Sequence, residues 1–392
     1  MELVDKLGNY IERLDRPNSD LRYGIDDVCG ITNTKQLVIG TKANLIGRTF
    51  EKFTILSPRE FIFNRRTSRN GERISLGFNT TDRDWILTED YCHFRIRKDK
   101  EDVLDPDYLY LFFLNPEFDR YVRYNSWGSA TEFFNWEEIT ETPISIIPIS
   151  MQHKIVHDYQ VITDRIALLH KMNENLEEQN LALYKAYFVD FEMFDGKMPL
   201  DWKRTTVGNV VSVTRGASPR PIQEFMCEVG MPWVKIADAS ASFSKYLFET
   251  AECIIEDGVS KSRLVKPKTL IVSNSASPGL PMLMEIEACV HDGWLIIDQY
   301  KGVSQEFMYY FFVNERQRIV LQSNGSVFNN LKTDIVKEQQ IVIPDEKTMD
   351  SVTEKFKAVN RVILNNAKEV EFLKNIRKNL LGTIMCKEAK GA

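Results

Sequence analysis

The second half of this chain repeats the order of its first. Leu7-Gly8-Asn9-Tyr10 matches Val207-Gly208-Asn209-Val210 at an offset of 200 positions. Tyr108-Leu-Tyr-Leu-Phe-Phe-Leu-Asn115 matches Phe307-Met-Tyr-Tyr-Phe-Phe-Val-Asn314 at an offset of 199. The stretch from Gly128 to Pro148 then parallels that from Gly325 to Pro344, with the closing prolines 196 apart. Landmarks in one order at a nearly constant offset of half the chain read as a tandem duplication. Any fold must therefore contain the same body twice.

Each half begins with about 150 residues of short strand-like runs, such as Glu60-Phe-Ile-Phe63 and Thr269-Leu-Ile-Val272, broken by Gly, Pro, Ser and Asn. An apolar, aromatic helix pattern follows, then a Gly-Ser loop, then a proline, and then a long helical pattern. In the first long helix Ile155, Tyr159, Ile162, Ile166, Leu169, Asn173, Leu176, Asn180, Leu183 and Tyr187 step by four and three. Val352, Phe356, Val359, Ile363, Asn366, Val370, Leu373, Arg377, Leu380 and Ile384 do the same in the second. Such a spacing predicts a helix-to-helix seam, with Asn173, Asn180, Asn366 and Arg377 as polar members that fix register. A helix of about 40 residues is about 60 Å long and needs a partner for its apolar stripe. The expected fold is α+β: two similar α/β domains separated by two long antiparallel coiled-coil helices, related by a pseudo-two-fold repeat. The expected segments are 1–148 and 193–344 for the domains, and 149–192 and 345–392 for the helices. Core helices of two ordinary domains are the plainer alternative for the same spacing.

Composition excludes several functions. Hydrophobic residues make up 43% and charged residues 27%, a globular balance. No stretch approaches the 18 uncharged apolar residues of a membrane span, and Met1–Asp15 lacks the apolar region of a secretion signal, so no membrane partner and a cytoplasmic location are expected. The six cysteines form no C-x-x-C pair, which argues against a zinc knuckle or a disulfide framework. No phosphate-binding glycine loop occurs. Asn115-Pro116-Glu117-Phe118 has the outline of the N-P-P-[YF] motif of amino-methyltransferases, yet its third residue is Glu; a helix ending at Asn-Pro explains it better. His153 and His157 stand one turn apart without a third ligand, so no metal site is expected. His93, His170 and His291 show no partner in sequence. No catalytic residues and no cofactor are expected on this chain.

Charge points toward nucleic acid. The net charge is −6, but Lys42 to Lys100 holds thirteen basic against eight acidic residues, and Lys203 to Lys268 ten against seven. A chain acidic overall and basic in patches suits contact with phosphate through part of its surface. Asn64, Arg65, Arg66, Arg69 and Arg73 follow the run ending at Phe63. Arginine grips phosphate or pairs with guanine, and asparagine suits adenine. Ser273, Asn274, Ser275 and Ser277 occupy the equivalent place after Val272, and both runs follow a proline, Pro58 and Pro267. A shared position with different side chains is what two domains reading different sequences require. Arg215, Ser218 and Arg220 in TRGASPRP, with Ser129, Thr131, Ser326 and Asn329 in the Gly-Ser loops, are secondary candidates; the loop residues serve equally well as caps.

This order of parts resembles the specificity subunits of type I restriction-modification systems. The resemblance covers nearly the whole chain: two target-recognition domains, each with a Gly-Ser loop running to an Ile-Pro boundary and a long helix. Pro199-Leu-Asp-Trp202-Lys-Arg-Thr-Thr-Val207-Gly208 is similar to the P-x-W-x-x-x-x-L-G opening common in that family. Where the family often shows P-P-x-x-E-Q after the boundary, Pro148 leads here into Ile-Ser-Met-Gln152 and Pro344 into Asp-Glu-Lys-Thr348. The resemblance implies a non-catalytic subunit that reads a bipartite site on double-stranded DNA, one domain per half-site, with the helices setting the unread spacer. It implies partners too: two methyltransferase subunits carrying S-adenosylmethionine, and restriction subunits that translocate and cut. A coiled-coil scaffold that binds only proteins, and a divergent single-chain DNA methyltransferase, are the competing readings.

Overall fold

The computed structural model describes residues 3–40, 45, 47–67, 73–128, 132–323 and 331–384. Contacts divide the chain into two units, Met1–Arg165 with Leu373–Ala392, and Ile166–Phe372. Each unit holds one mixed body of sheet and helix together with part of both long helices. These units differ from the four consecutive segments expected from sequence, because the helices pack on the bodies as well as on each other.

In the first unit, six strands carry the frame: β1 (Leu3–Lys6), β2 (Ile11–Leu14), β3 (Phe61–Asn64), β4 (Leu76–Phe78), β5 (Tyr91–Ile96) and β6 (Pro143–Ile146). β1 pairs antiparallel with β6, and an antiparallel sheet runs β2-β5-β3-β4. Phe61, Phe63 and Phe94 are fully buried between these strands and the helices α1 (Pro106–Leu114) and α2 (Pro116–Tyr124). Phe61 stacks on Phe78 at 4.4 Å and Phe94 meets Phe113 edge-on at 6.1 Å. Each such ring stabilises the unit by about 1.5–3 kcal/mol relative to exposure. The Asn115-Pro116 break behaves as the sequence suggests. Asn115 ends α1 and caps α2, its side-chain oxygen accepting from the Glu117 N–H at 3.0 Å while its amide donates to the Leu381 carbonyl at 2.7 Å.

After the Ile147-Pro148 boundary, α3 runs Ile149–Phe188. Gln152 fixes its start: fully buried, it accepts from the Asp105 N–H at 2.9 Å and donates to the Val103 and Ile147 carbonyls, both at 2.8 Å.

The second unit repeats the plan with β7 (Lys203–Thr206), β8 (Ser212–Arg215), β9 (Leu270–Ser273), β10 (Pro281–Met284), β11 (Trp294–Asp298) and β12 (Gln340–Ile343). β7 pairs with β12, and the sheet runs β8-β11-β9-β10, extended by Tyr246–Leu247 parallel to β10. The single helix α4 (Gln305–Ser323) stands where α1 and α2 stand in the first unit, uninterrupted because no proline follows Asn314. The glycine landmarks also correspond. A Cβ on Gly8 would lie 2.7 Å from Thr140 Cβ, and one on Gly208 3.1 Å from Lys337 Cβ. Helix α5 (Glu346–Gly382) begins after Pro344, where Asp345 accepts from the Thr348 N–H at 3.0 Å and from the Trp202 indole at 3.2 Å. The tryptophan of the P-x-W opening thus anchors the start of the following long helix.

Within the second unit the two long helices run in opposite directions. Asn173 donates to the Ile363 carbonyl at 3.2 Å, Asn366 donates to Asn173 at 2.8 Å, Asn180 donates to Asn360 at 3.2 Å, and Lys355 donates to the Tyr187 hydroxyl at 3.0 Å. In the first unit Arg377 lies over the Tyr159 ring at 5.9 Å. Of the expected seam residues, Ile166, Leu169, Val352, Phe356, Ile363 and Val370 are buried, and Ile155, Ile162, Leu176, Leu183, Val359, Leu373 and Leu380 are half-buried. Two details depart from strict heptads. Toward its end α3 buries Tyr184 and Phe188 rather than Leu183 and Tyr187, and α5 buries Asn360 and Ala367 more deeply than Val359 and Asn366. A straight helix drifts by about 20° per heptad, and here the drift turns these residues onto the body of the second unit, where Tyr184 and Phe188 join Phe307 and Trp202 in one core.

Candidate nucleic-acid interface

The two candidate loops leave equivalent strand ends. Ser57-Pro58-Arg59-Glu60 and Lys266-Pro267-Lys268-Thr269 each close a turn with an N–H to carbonyl bond, at 3.3 and 3.2 Å, with Arg59 (φ 64°) and Lys268 (φ 71°) in the left-handed region. The strands β3 and β9 that follow have matching register, Asn64 opposite Tyr91 and Ser273 opposite Trp294.

Each loop then pairs with the chain emerging from the Gly-Ser loop of its own unit. In the first unit the Phe134 N–H donates to the Arg65 carbonyl at 2.8 Å and the Thr67 N–H to the Glu132 carbonyl at 3.0 Å. In the second unit the Leu331 N–H donates to the Asn274 carbonyl at 2.7 Å. The primary candidates and the Gly-Ser segments, separate in sequence, are thereby brought together twice. Arg69, Ser129, Thr131, Ser326 and Asn329 lie outside the described residues.

In the first unit Asn64 accepts from the Arg66 N–H at 3.0 Å, a local turn that sets the arginine pair. Arg65 is half-buried, whereas Arg66 and Arg73 are exposed; Arg66 stands 4.0 Å from Asp90. The chain beside Arg73 is held by Asp119, which accepts from the Ile74 N–H at 3.1 Å and forms a buried pair with Lys35 at 2.6 Å. Burial pushes the Lys35 ammonium below its ordinary value, Asp119 opposes this, and Arg73 adds to it. Lys35 carries no sequence signal because its partner is 84 positions away.

In the second unit the secondary candidates converge on Asp292, a residue not singled out in the sequence. Ser218 donates to its carboxylate at 2.8 Å, Arg220 approaches at 3.4 Å and Arg215 at 3.8 Å, while Arg215 and Asn274 donate to its carbonyl at 2.7 and 3.1 Å. His291 is 3.0 Å from the same carboxylate. Ser273 and Asn274 correct the expectation of outward-facing contacts. Both are buried, Ser273 bonding Ser277 and Leu280 within its own loop. Ser275 and Ser277 are half-exposed. The outward chemistry here is therefore that of Arg215 and Arg220, which are exposed.

Two histidines also gain partners. His93, buried, bonds Glu60 at 2.9 Å, and Glu60 in turn pairs with Arg16. His153 and His157 are exposed, His153 lying 3.6 Å from Asp105.

Burial alone would raise the Asp292 carboxyl, but the Ser218 hydroxyl and the charges of His291, Arg215 and Arg220 outweigh it and hold it below the usual carboxylate value. Burial pushes His291 below its ordinary value, Asp292 opposing while Lys235, Arg220 and Arg215 reinforce it. With both folded values lowered, both groups contribute stability at neutral pH that is lost on acidification. The His291 contribution falls away below about pH 6.5, where the unfolded chain takes up the proton first, and that of Asp292 below about pH 4. The thermal midpoint is expected to begin falling near pH 6.5, and less steeply in His291→Gln. An identical pH profile for that variant contradicts this assignment.

The arrangement offers guanidinium groups and short polar side chains on rigid strand ends, suited to phosphate oxygens and base edges. No helix among the described residues is long and apolar enough to cross a membrane. No family model matches the chain. A curated relative, the Type I restriction enzyme MjaIX specificity subunit of Methanocaldococcus jannaschii, is 22% identical over 307 residues, covering 74% of this chain and 70% of that protein. The crystal structure of a type I restriction-modification system S subunit from M. genitalium superposes with a TM-score of 0.58 at 12% identity, covering 99% of this chain and 96% of that one. The resemblance to type I restriction-modification specificity subunits, read from the order of landmarks in the sequence, is thus borne out by a relative in sequence and by a shared fold.

Proposed function

We propose that this chain is a non-catalytic DNA-recognition subunit that reads a bipartite site, one half through the arginine loop of the first unit and the other through the Asp292-anchored cluster of the second. The observation that carries this reading is the recurrence of one loop pairing, Arg65 with Phe134 and Asn274 with Leu331, presenting different side chains in each unit. One scaffold with two chemistries is what reading two unlike half-sites requires. The long helices set the unread spacer between the half-sites, as in the resemblance drawn from the sequence. Methyl transfer and cleavage belong to partners: two methyltransferase subunits that bind S-adenosylmethionine, and restriction subunits. A duplicated surface gives a physical reason for two copies of one partner.

Titrating the full chain against a random-sequence duplex pool at several salt concentrations tests the reading. Affinity that falls linearly in log–log form with salt supports it. No salt-dependent binding, alone or with a co-expressed methyltransferase subunit, overturns it in favour of a protein-binding scaffold.

A further inference from the structure

In the first unit Phe133 forms antiparallel bridges with Arg66 on one side and with Trp127 on the other. The Trp127–Phe133 pair is closed by reciprocal backbone bonds, 3.1 Å from the Trp127 N–H and 2.9 Å from the Phe133 N–H. Residues directly opposite in an antiparallel pair project to the same face, so Arg66, Phe133 and Trp127 form one transverse row. Neighbouring strands lie about 4.8 Å apart, which puts the backbone positions of Arg66 and Trp127 about 10 Å apart, close to three base-pair steps of a duplex at about 3.4 Å each. Trp127 is 70% exposed, and Phe133 is half-buried. The paired backbone fixes where Trp127 leaves the chain, and a tryptophan has only two side-chain torsions to order when a ligand covers it, which makes it a low-entropy anchor of interfaces.

We propose that Trp127 is a specificity-determining contact of the first unit, its indole packing on the base edges of duplex DNA about three steps from the group gripped by Arg66. The occupant follows from charge: Arg66 in the row, with half-buried Arg65 and exposed Arg73 near it in sequence, sets three guanidinium groups against the carboxylates of Asp90, 4.0 Å from Arg66, and of exposed Glu132, a local excess of positive charge that suits a polyanion. This inference rests on the proposed DNA-reading function. The second half has Ser323 or Asn324 at the matching place in its sequence, so the contact belongs to one half-site only.

The experiment uses the full chain and duplexes that it selects from a randomised pool, with affinity measured across a salt series for the wild type, Trp127→Ala, Trp127→Phe and Arg66→Ala. Trp127→Ala is expected to lose roughly tenfold or more in affinity with an unchanged salt slope, since no charge is removed, while Trp127→Phe recovers much of the loss. Arg66→Ala is expected to lower the salt slope by about one. Unaltered melting temperatures of the variants confirm that folding is intact. Binding by Trp127→Ala within twofold of the wild type, with Arg66→Ala impaired, overturns the role of Trp127 and leaves the DNA-reading function standing. Failure of the wild type to select any duplex, alone and with a co-expressed methyltransferase subunit, overturns both.

Discussion

Glu177→Ala is expected to destabilise the second unit by about 3–5 kcal/mol, the cost typical of stranding a buried charge. Lys245 is almost fully buried and bonds Glu177 at 2.5 Å, Asn360 at 2.7 Å and the Tyr310 hydroxyl at 3.2 Å. Burial pushes its ammonium below the ordinary value, and Glu177 is the group that opposes this. Remove Glu177 and the lysine must either stay charged without a counter-ion or give up its proton. The double variant Glu177→Ala/Lys245→Met is expected to regain most of the loss. In it no charge is left behind, and Asn180, Tyr310 and Asn360 still bond one another, with Asn180 donating to Tyr310 at 2.8 Å and Tyr310 to Asn360 at 2.9 Å. Urea unfolding monitored by circular dichroism checks both values. A loss below about 1 kcal/mol in the single variant contradicts the assignment of Glu177 as the balancing charge. The network has a structural consequence, since it ties Glu177 and Asn180 of α3 and Asn360 of α5 to one body and so fixes the register of the helix pair there.

Gly216→Ala is expected to cost about 2–3 kcal/mol, the upper part of the range for overpacking, and to disable the Asp292 cluster. A Cβ at this position would lie 2.2 Å from the His291 carbonyl oxygen and 2.8 Å from that of Val290. Both obstacles are backbone, so no side-chain rotation relieves them. The segment must move away from residues 290–292, breaking the Gly216 N–H bond to the Trp294 carbonyl at 2.9 Å and drawing Arg215 and Ser218 off Asp292. The variant is expected to melt lower and, on the proposed DNA-reading function, to relax sequence preference at the half-site assigned to the second unit while keeping that assigned to the first. Wild-type stability together with unchanged preference contradicts the close approach.

Much of this architecture was legible in the sequence because it depends on order and periodicity. The landmark glycines sit where a Cβ would crowd the opposite segment, and Asn115-Pro116 caps a helix as X-Pro chemistry dictates. The polar seam positions Asn173 and Asn180 do bond the opposite helix. What the sequence did not reveal is set by long-range contact. Lys245 meets Glu177 across 68 positions and Asn360 across 115, and no local pattern marks such a meeting. The seam drifted from Leu183 to Tyr184 because a straight helix does not keep a seven-residue repeat once one flank is covered by a sheet body. At the candidate interface the positions of the two loops were legible, since a proline turn and a β-run precede each. The orientation of side chains was not: Ser273 and Asn274 turned inward, and Asp292 became the anchor although nothing in its local sequence distinguishes it from other surface acids.

On the proposed function, one chain reads two half-sites for a partner that modifies DNA. The most direct measurement is to co-express it with a methyltransferase subunit from the same source and map methylated adenines across the host DNA. A split motif with a fixed unread gap is expected, and replacing Arg65, Arg66 and Arg69 with Ala is expected to abolish methylation or to change one half of that motif only. A methylation pattern that does not depend on this chain overturns the DNA-recognition function.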